Sequence, residues 1–409
     1  MVRFLSYLMF IFFMSCSSNL KNNILVDIVN SMDSEFHDIV SNPKKYRLQI
    51  LYTQINRNKK NEPIFNTYSY GVDNREYFYP ASCVKLPIAV LALEKTRSIN
   101  ELSVHDRYEI LPGPIYKSGV YKDTTSESGY LSLAHSIRKL FVVSDNSAFN
   151  YLYDFLGRDY INERLWELGY KSSRIRHRLS VPLSQKENRF THSINFYNES
   201  KINYEQKSQI ASLFLDVNAK DYKIGKSHFV DNTKKNGPLD FSSKNFINLF
   251  DQHALIKKII FPNHDKNKDC FNLNREDYSV LYKEMSILPR ESKNPSYLDY
   301  DKYYDGYCKF FMFGDTKRRI PDNIKIFNKI GLAYGFAIDN AYVADLENDI
   351  EFFLTAVIYS NSNEVMNDNV YDYENISIPF LSELGRKIYY YELKREKNIL
   401  PNLSWIKKI

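Results

Sequence analysis

Tyr77-Phe78-Tyr79-Pro80-Ala81-Ser82-Cys83-Val84-Lys85 is the stretch that decides how this 409-residue chain is read. Glu76 to Tyr79 reads as a strand, and Pro80 stops it because proline has no N–H to give to a sheet. From Ser82 to Lys95 the side chains are almost wholly apolar (Val84, Leu86, Ile88, Ala89, Val90, Leu91, Leu93). A helix apolar on every side is buried in the middle of a domain. Ser82 then opens a buried helix, where backbone N–H groups without intrahelical partners can hold a negative oxygen. Lys85 follows one turn later on the same face and points back at Ser82. Burial and a second cation nearby would lower its pKa and let it take a proton from a hydroxyl.

The spacing S-x-x-K alone is unspecific, since it recurs at Ser18/Lys21, Ser41/Lys44, Ser136/Lys139 and Ser404/Lys407. Two further motifs single out Ser82. Ser144-Asp145-Asn146 follows the apolar Leu140-Phe141-Val142-Val143 and opens another helix. These are also the residue types that cap helices. Lys329-Ile330-Gly331 ends a strand-like segment and offers a cation. In this order the three motifs supply a hydroxyl with an amine, a second hydroxyl with an amide, and a positive charge. That set can open an amide without histidine, metal or cofactor.

In these motifs the chain resembles the penicillin-recognising serine enzymes, closest to the class A β-lactamase-like serine hydrolases. The similarity runs through residues 77–85, Val143 to Ser147, and the terminal block from Lys329 through the two strands after it. The resemblance implies Ser82 as nucleophile and Lys85 as proton acceptor, with Ser144 relaying a proton to the leaving nitrogen. Asn146 would bind the substrate amide and Lys85. Lys329, with Gly331 beside it, would supply positive field to a substrate carboxylate. The backbone N–H groups of Ser82 and Leu332 would cradle the oxyanion. The chain departs from the family in two places. Ile330 stands where the third motif has Thr or Ser. The class A branch carries a deacylating Glu, with Asn four residues later, on a loop after the second motif; here Glu187 lies in that loop but Asn188 follows it directly. Glu199 and Asn203 have the spacing but come later.

The fold expected is α/β (α+β), of the β-lactamase and transpeptidase type. An amphipathic helix (Ile24 to Val40, ended by Pro43) precedes strands at Tyr46 to Ile55 and Ile64 to Tyr70. Strands recur at Ile324 to Ile330, Ala337 to Asp345 and Ile350 to Ser360, before a last helix from Ile378 to Arg395. One antiparallel sheet built from both ends, flanked by terminal helices and lying beside an all-helical subdomain, accommodates this order. The sheet subdomain would hold residues 24–80 and 320–409, and the helical one 81–319, with a polar insertion over 218–275. The segment from Arg174 to Asn198 reads as a long ordered loop. A cleft between subdomains is the expected ligand site.

Hydrophobic residues make up 44% of the chain, and the net charge is a mild +6 with basic and acidic residues interspersed. This argues against disorder and against a nucleic-acid partner. The eight histidines form no metal-ligand spacing, and no Gly-rich phosphate loop occurs. The expectation is therefore no cofactor and no metal. Arg3, an apolar run from Phe4 to Met14, and Ser15-Cys16-Ser17-Ser18 resemble a lipoprotein signal of residues 1–16. Cys16 would then be lipidated and the mature chain, one domain over 17–409, would be an exported, periplasmic or cell-envelope lipoprotein. Of the remaining cysteines, Cys83 reads as a buried filler, and a Cys270–Cys308 bridge is left open by the sequence. The substrate expected is a small-molecule β-lactam or a peptidoglycan stem peptide. The alternatives are a D-Ala-D-Ala carboxypeptidase, a catalytically impaired binding protein of the same fold, and an esterase using the same Ser–Lys pair.

Overall fold

Both ends of the chain supply strands to one sheet. The computed structural model describes residues 23–264 and 270–409, so the signal-like segment and Cys16 lie outside the described residues. Helices α1 (Ile24–Asn30) and α2 (His37–Ser41) lead into strands β1 (Gln49–Arg57) and β2 (Pro63–Tyr70). After α3 (Lys85–Arg97) come β3 (Arg107–Ile110), α4 (Leu133–Val142), α5 (Asn146–Leu156) and α6 (Arg158–Glu167). Short strands follow: β4 (Ile194–Asn198), β5 (Lys201–Gln206), β6 (Lys223–Ile224), β7 (Ser227–Val230), β8 (Thr233–Asn236) and β9 (Leu239–Asp240). Helices α7 (Leu249–Ile260), α8 (Arg275–Ser286) and the single turn α9 (Phe310–Phe313) precede β10 (Ile324–Ala333), β11 (Phe336–Asp345) and β12 (Ile350–Tyr359). The pair β13 (Val365–Met366) and α10 (Ile378–Lys394) closes the order.

The main sheet runs β10-β11-β12-β1-β2, antiparallel throughout. Its middle strands are buried on both faces, so successive side chains enter different cores. Along β12, Phe352, Leu354, Ala356 and Ile358 pack under Phe380, Leu384 and Ile388 of α10 with Leu25 and Val29 of α1. Phe353 points the other way, toward Leu255, Ile256 and Ile259 of α7 and the buried α3. His253 locks α7 to that face, its Nε2 2.7 Å from Thr53 Oγ1 and its Nδ1 2.8 Å from Thr355 Oγ1. Burial holds its imidazole far below the ordinary range, hence neutral.

Three expectations need correction. The first helix is broken: α1 stops at Asn30 and a 3-10 turn (Ser34–Phe36) intervenes before α2, because Ser31, Asp33 and Ser34 favour local turns over a continuous helix. Glu76 to Tyr79 forms no strand. Its aromatics are buried, Tyr77 stacking on Phe246 at 5.4 Å, but its backbone makes an isolated bridge to Lys220 in place of a sheet ladder. The segment between the sheet halves is not all helical: it carries the sheets β3-β4-β5 and β6-β9, and β7-β8 pairs with β13. Cys270 is exposed and Cys308 buried, and they are not bridged.

Candidate active site

Pro80 ends the aromatic segment, and Ala81 follows with φ +46°. That left-handed backbone is costly for a residue with a Cβ and turns the chain abruptly. Residues Ala81–Val84 form a 3-10 turn, closed by Cys83 N–H donating to Pro80 O at 2.9 Å, and α3 continues from it. Ser82 is left half-buried between the buried Ala81 and Cys83. β10 passes directly behind this turn. A Cβ on Gly331 would sit 2.7 Å from Pro80 O and 3.2 Å from both Ala81 Cβ and Cys83 Sγ. The glycine of the third motif thus lets the strand approach the nucleophile turn.

Ser144 adopts φ +58° in the one-turn gap between α4 and α5. Asp145 caps α5, its Oδ1 accepting from Ala148 N–H at 2.7 Å. Asn146 begins the helix and donates from Nδ2 to Ser180 Oγ at 2.7 Å. Lys85, fully buried, directs its amine at this gap: Nζ lies 3.1 Å from Ser144 Oγ, 2.7 Å from Asn146 Oδ1, and bonds Ser144 O. Lys329 Nζ reaches the same Ser144 Oγ at 2.8 Å and also bonds Ile330 O at 3.1 Å. Burial, and then the charge of Lys329, hold Lys85 well below the usual lysine range. Burial lowers Lys329 too, against the pull of nearby Cys308, Cys83 and Asp339. An uncharged Lys85 fits these partners: two N–H groups meet Ser144 O and Asn146 Oδ1, leaving a lone pair for the Ser144 hydroxyl.

Beneath β10 lies a buried polar group that the motifs did not indicate. Asp339 Oδ2 accepts from Phe310 N–H at 3.0 Å and Phe311 N–H at 3.2 Å, while Oδ1 accepts from Asn328 Nδ2 at 2.8 Å. Lys309 Nζ donates to Asn328 Oδ1 at 2.6 Å and Met285 O at 2.8 Å. Burial pushes the Asp339 carboxyl up and the Lys309 amine down. The group fixes the residue before Lys329 and ties the Lys309 turn to the sheet.

The loop after α6 is organised around a buried ion pair. Arg178 Nη2 lies 2.8 Å from Asp154 Oδ1 and donates to Phe190 O at 2.7 Å, while His192 N–H meets the same carboxylate oxygen at 2.9 Å. The loop tip, Leu179 to Leu183, forms a wall beside Ser82. Glu187 is not brought to the site. It is exposed, and its Oε2 accepts from both Ser184 N–H and Ser184 Oγ at 2.7 Å. Glu187 N–H returns a bond to Ser184 Oγ at 3.2 Å, a reciprocal cap that turns the carboxylate back on its own turn. Asn203 is also elsewhere, donating to Glu101 O at 2.6 Å. His177 stacks parallel on Tyr79 and burial pushes it down to about 4, so it is neutral.

Ser82 stands where two clefts meet. The first, about 680 Å³, has Tyr79, His177, the 179–183 loop, Lys244 and Tyr334 around it, and among the described residues no Asp or Glu lines it. The second, about 890 Å³, contains Ser144, Ile330 and Phe310. Asn146 and Leu332 border both. Among the described residues no group of His, Cys, Asp and Glu is placed to hold a metal ion.

Residues 32–221 match the family model described as the beta-lactamase enzyme family. A search of curated proteins finds no match. Among solved structures, a β-lactamase from Sphaerobacter thermophilus DSM 20745 is similar at 13% identity, over 91% of this chain and 98% of that chain, with a TM-score of 0.48. A β-lactamase from Burkholderia vietnamiensis is similar at 12% identity, over 89% and 98%, with a TM-score of 0.49. One from Xanthomonas campestris pv. campestris str. ATCC 33913 gives 12%, 89% and 97%, with a TM-score of 0.48. The segment that carries Ser82, Lys85, Ser144 and Asn146 therefore matches the beta-lactamase enzyme family, in agreement with the resemblance to the penicillin-recognising serine enzymes.

Proposed function

We propose that the chain is a β-lactamase-like serine hydrolase that opens a β-lactam or related amide through an acyl-enzyme on Ser82. The observation that carries this reading is the convergence of Lys85 and Lys329 on Ser144 Oγ beside the Ser82 turn. In the reaction Ser82 Oγ attacks the carbonyl carbon and its proton passes to the uncharged Lys85. The backbone N–H groups of Ser82 and Leu332 hold the oxyanion. The C–N bond then breaks as Ser144 gives its proton to the departing nitrogen and is reprotonated from the lysine pair.

Deacylation is the slow step in this reading. Among the described residues no carboxylate lines the loop-side cleft, and Glu187 is held by Ser184. A long-lived acyl-enzyme is the behaviour of a D-Ala-D-Ala peptidase-type or catalytically impaired member of the fold, which is the second reading. Incubation with a penicillin, followed by intact mass, tests both. A persistent adduct that Ser82→Ala abolishes supports slow turnover. Accumulating product with a transient adduct indicates an efficient β-lactamase. Absence of both adduct and product overturns the proposal. Export with a lipid on Cys16 is part of the proposal and rests on the sequence; metabolic labelling with a fatty acid, lost in Cys16→Ala, tests it.

A further inference from the structure

The polar insertion puts one cation on the wall of the loop-side cleft and holds it there. After β9 the chain runs over residues 243–246 against residues 174–177 of the loop that follows α6. Arg174 and Phe246 exchange backbone hydrogen bonds at 2.7 and 3.1 Å. The buried Asn245 accepts from Arg176 N–H at 2.7 Å and from His177 N–H at 3.1 Å. With Asn245 turned inward, its neighbour Lys244 borders the cleft, half-buried, its Nζ 5.9 Å from the ring centre of Tyr334. Tyr334 packs edge-on against Tyr79 at 5.1 Å, so the amine stands over an aromatic wall that leads back to the Ser82 turn.

This cleft is positive. Arg158, Arg176, Arg178 and Lys244 line it, and among the described residues no Asp or Glu does. Arg178 is paired with Asp154 at 2.8 Å, and Arg158 lies 3.9 Å from Asp159. Arg176 gives its N–H groups to the carbonyls of Leu215 and Asp216, which carry no charge. Lys244 has the Tyr334 ring and, among the described residues, no ion pair. Carboxylates behind the walls are already engaged: Asp216 with Arg174 at 2.7 Å, and Asp368 with Asn363 Nδ2 at 2.8 Å and Val370 N–H at 3.0 Å. Burial keeps His177 in the same wall uncharged, and the positive field of Lys244 and Arg176 works in the same direction. Ser144, the donor to the departing nitrogen, lines the other cleft and not this one. The substituent on the acyl side of the bond therefore enters the loop-side cleft, where a carboxylate exchanges water for a cation without a counter-charge.

We propose that the acyl side of this site selects a substituent bearing a carboxylate, and that Lys244 is the residue that selects it. The proposal rests on the reading of Ser82 as the acylated nucleophile. The step itself is unchanged: a Ser82 Oγ–acyl bond forms, the amide C–N bond breaks, and the hydroxyl proton ends on the departing nitrogen. The departing side keeps the donors that line the other cleft, Lys302 and Thr316 among them.

Carbenicillin, benzylpenicillin and ampicillin share the penam nucleus, its carboxylate and a phenyl ring. They differ on the carbon next to the side-chain amide carbonyl, which carries a carboxylate, a hydrogen or an ammonium group. Their departing nitrogens are identical, so differences in rate report the acyl side. Ring opening adds the whole reagent to Ser82, and intact mass at subsaturating reagent reads each rate. Carbenicillin is expected to acylate at least about tenfold faster than ampicillin, a ratio worth about 1.4 kcal/mol, with benzylpenicillin between them. In Lys244→Met, and in the more conservative Lys244→Gln, that ratio is expected to shrink at least about threefold, whereas Lys244→Arg keeps the charge and retains it. Carbenicillin equal to or slower than ampicillin overturns the selection, while a benzylpenicillin adduct leaves acylation of Ser82 standing. A ratio that survives intact in both neutral variants overturns the assignment to Lys244. No adduct from any of the three reagents sinks the underlying reading along with the proposal.

Discussion

Lys85 and Lys329 come from opposite ends of the chain and converge on one oxygen, Ser144 Oγ, at 3.1 and 2.8 Å. Two buried amines so placed each disfavour the other's proton. Lys329 is the largest cause, after burial, of the lowered pKa of Lys85. Lys329→Met removes that cation, so the pKa of Lys85 rises. Acylation requires Lys85 unprotonated, and its rising pH limb is therefore expected to move to higher pH in the variant. Initial rates of adduct formation, measured by quenched-flow mass spectrometry from acidic to alkaline pH, check this; an unmoved limb would show that Lys85 is not the base.

Gly331→Ala places a methyl group 2.7 Å from Pro80 O, and this backbone neighbour cannot step aside. Stability is expected to fall by about 1–3 kcal/mol, as in overpacked cores. Displacing the strand from the nucleophile turn should slow acylation by about a hundredfold. Urea denaturation and adduct kinetics give the two numbers separately.

Glu187→Gln is expected to leave the lifetime of the acyl adduct unchanged, since the Glu187 carboxylate is spent on Ser184 at the surface. A longer lifetime in the variant would mean that the loop rearranges on acylation and delivers Glu187 to the ester.

Asp154→Asn leaves Arg178 buried without its counter-charge and weakens the anchor of His192. Loss of one partner from such a pair costs about 3–5 kcal/mol. The measurement is the free energy of unfolding in denaturant. Loosening of the Leu179–Leu183 wall should appear with it as faster amide exchange in that segment.

What the sequence showed, and what it hid, follows from the range of the interactions. Strands β10, β11 and β12 and helix α3 were legible because their apolar periodicity is local and strong. Ser82, Lys85, Ser144 and Asn146 were legible because each sits at or beside the start of a helix, and Lys329 because it lies within a strong strand. The Lys309–Asn328–Asp339 group was not, since three separate polar residues carry no pattern until the fold brings them together. Its one local trace was Asn328 and Asp339 standing in largely apolar strands. The fate of Glu187 was legible in retrospect: Ser184 three residues earlier completes an S-x-x-E capping signature, which competes with any role in the cleft. The Glu76 to Tyr79 segment misled because bulky aromatics signal burial as readily as they signal a strand.

The pairing of β1 with β12 also sets a timetable. During synthesis β1 has only β2 beside it until residues 350–359 leave the ribosome, a wait of about 15–60 s at ordinary elongation rates. Throughout that interval Ser82 and Lys85 already exist, but Lys329 does not reach Ser144 until β10 docks. On the proposed reading the nascent chain carries the serine before the second cation of its site has been made. Completion of the chain is what brings Lys329 to Ser144.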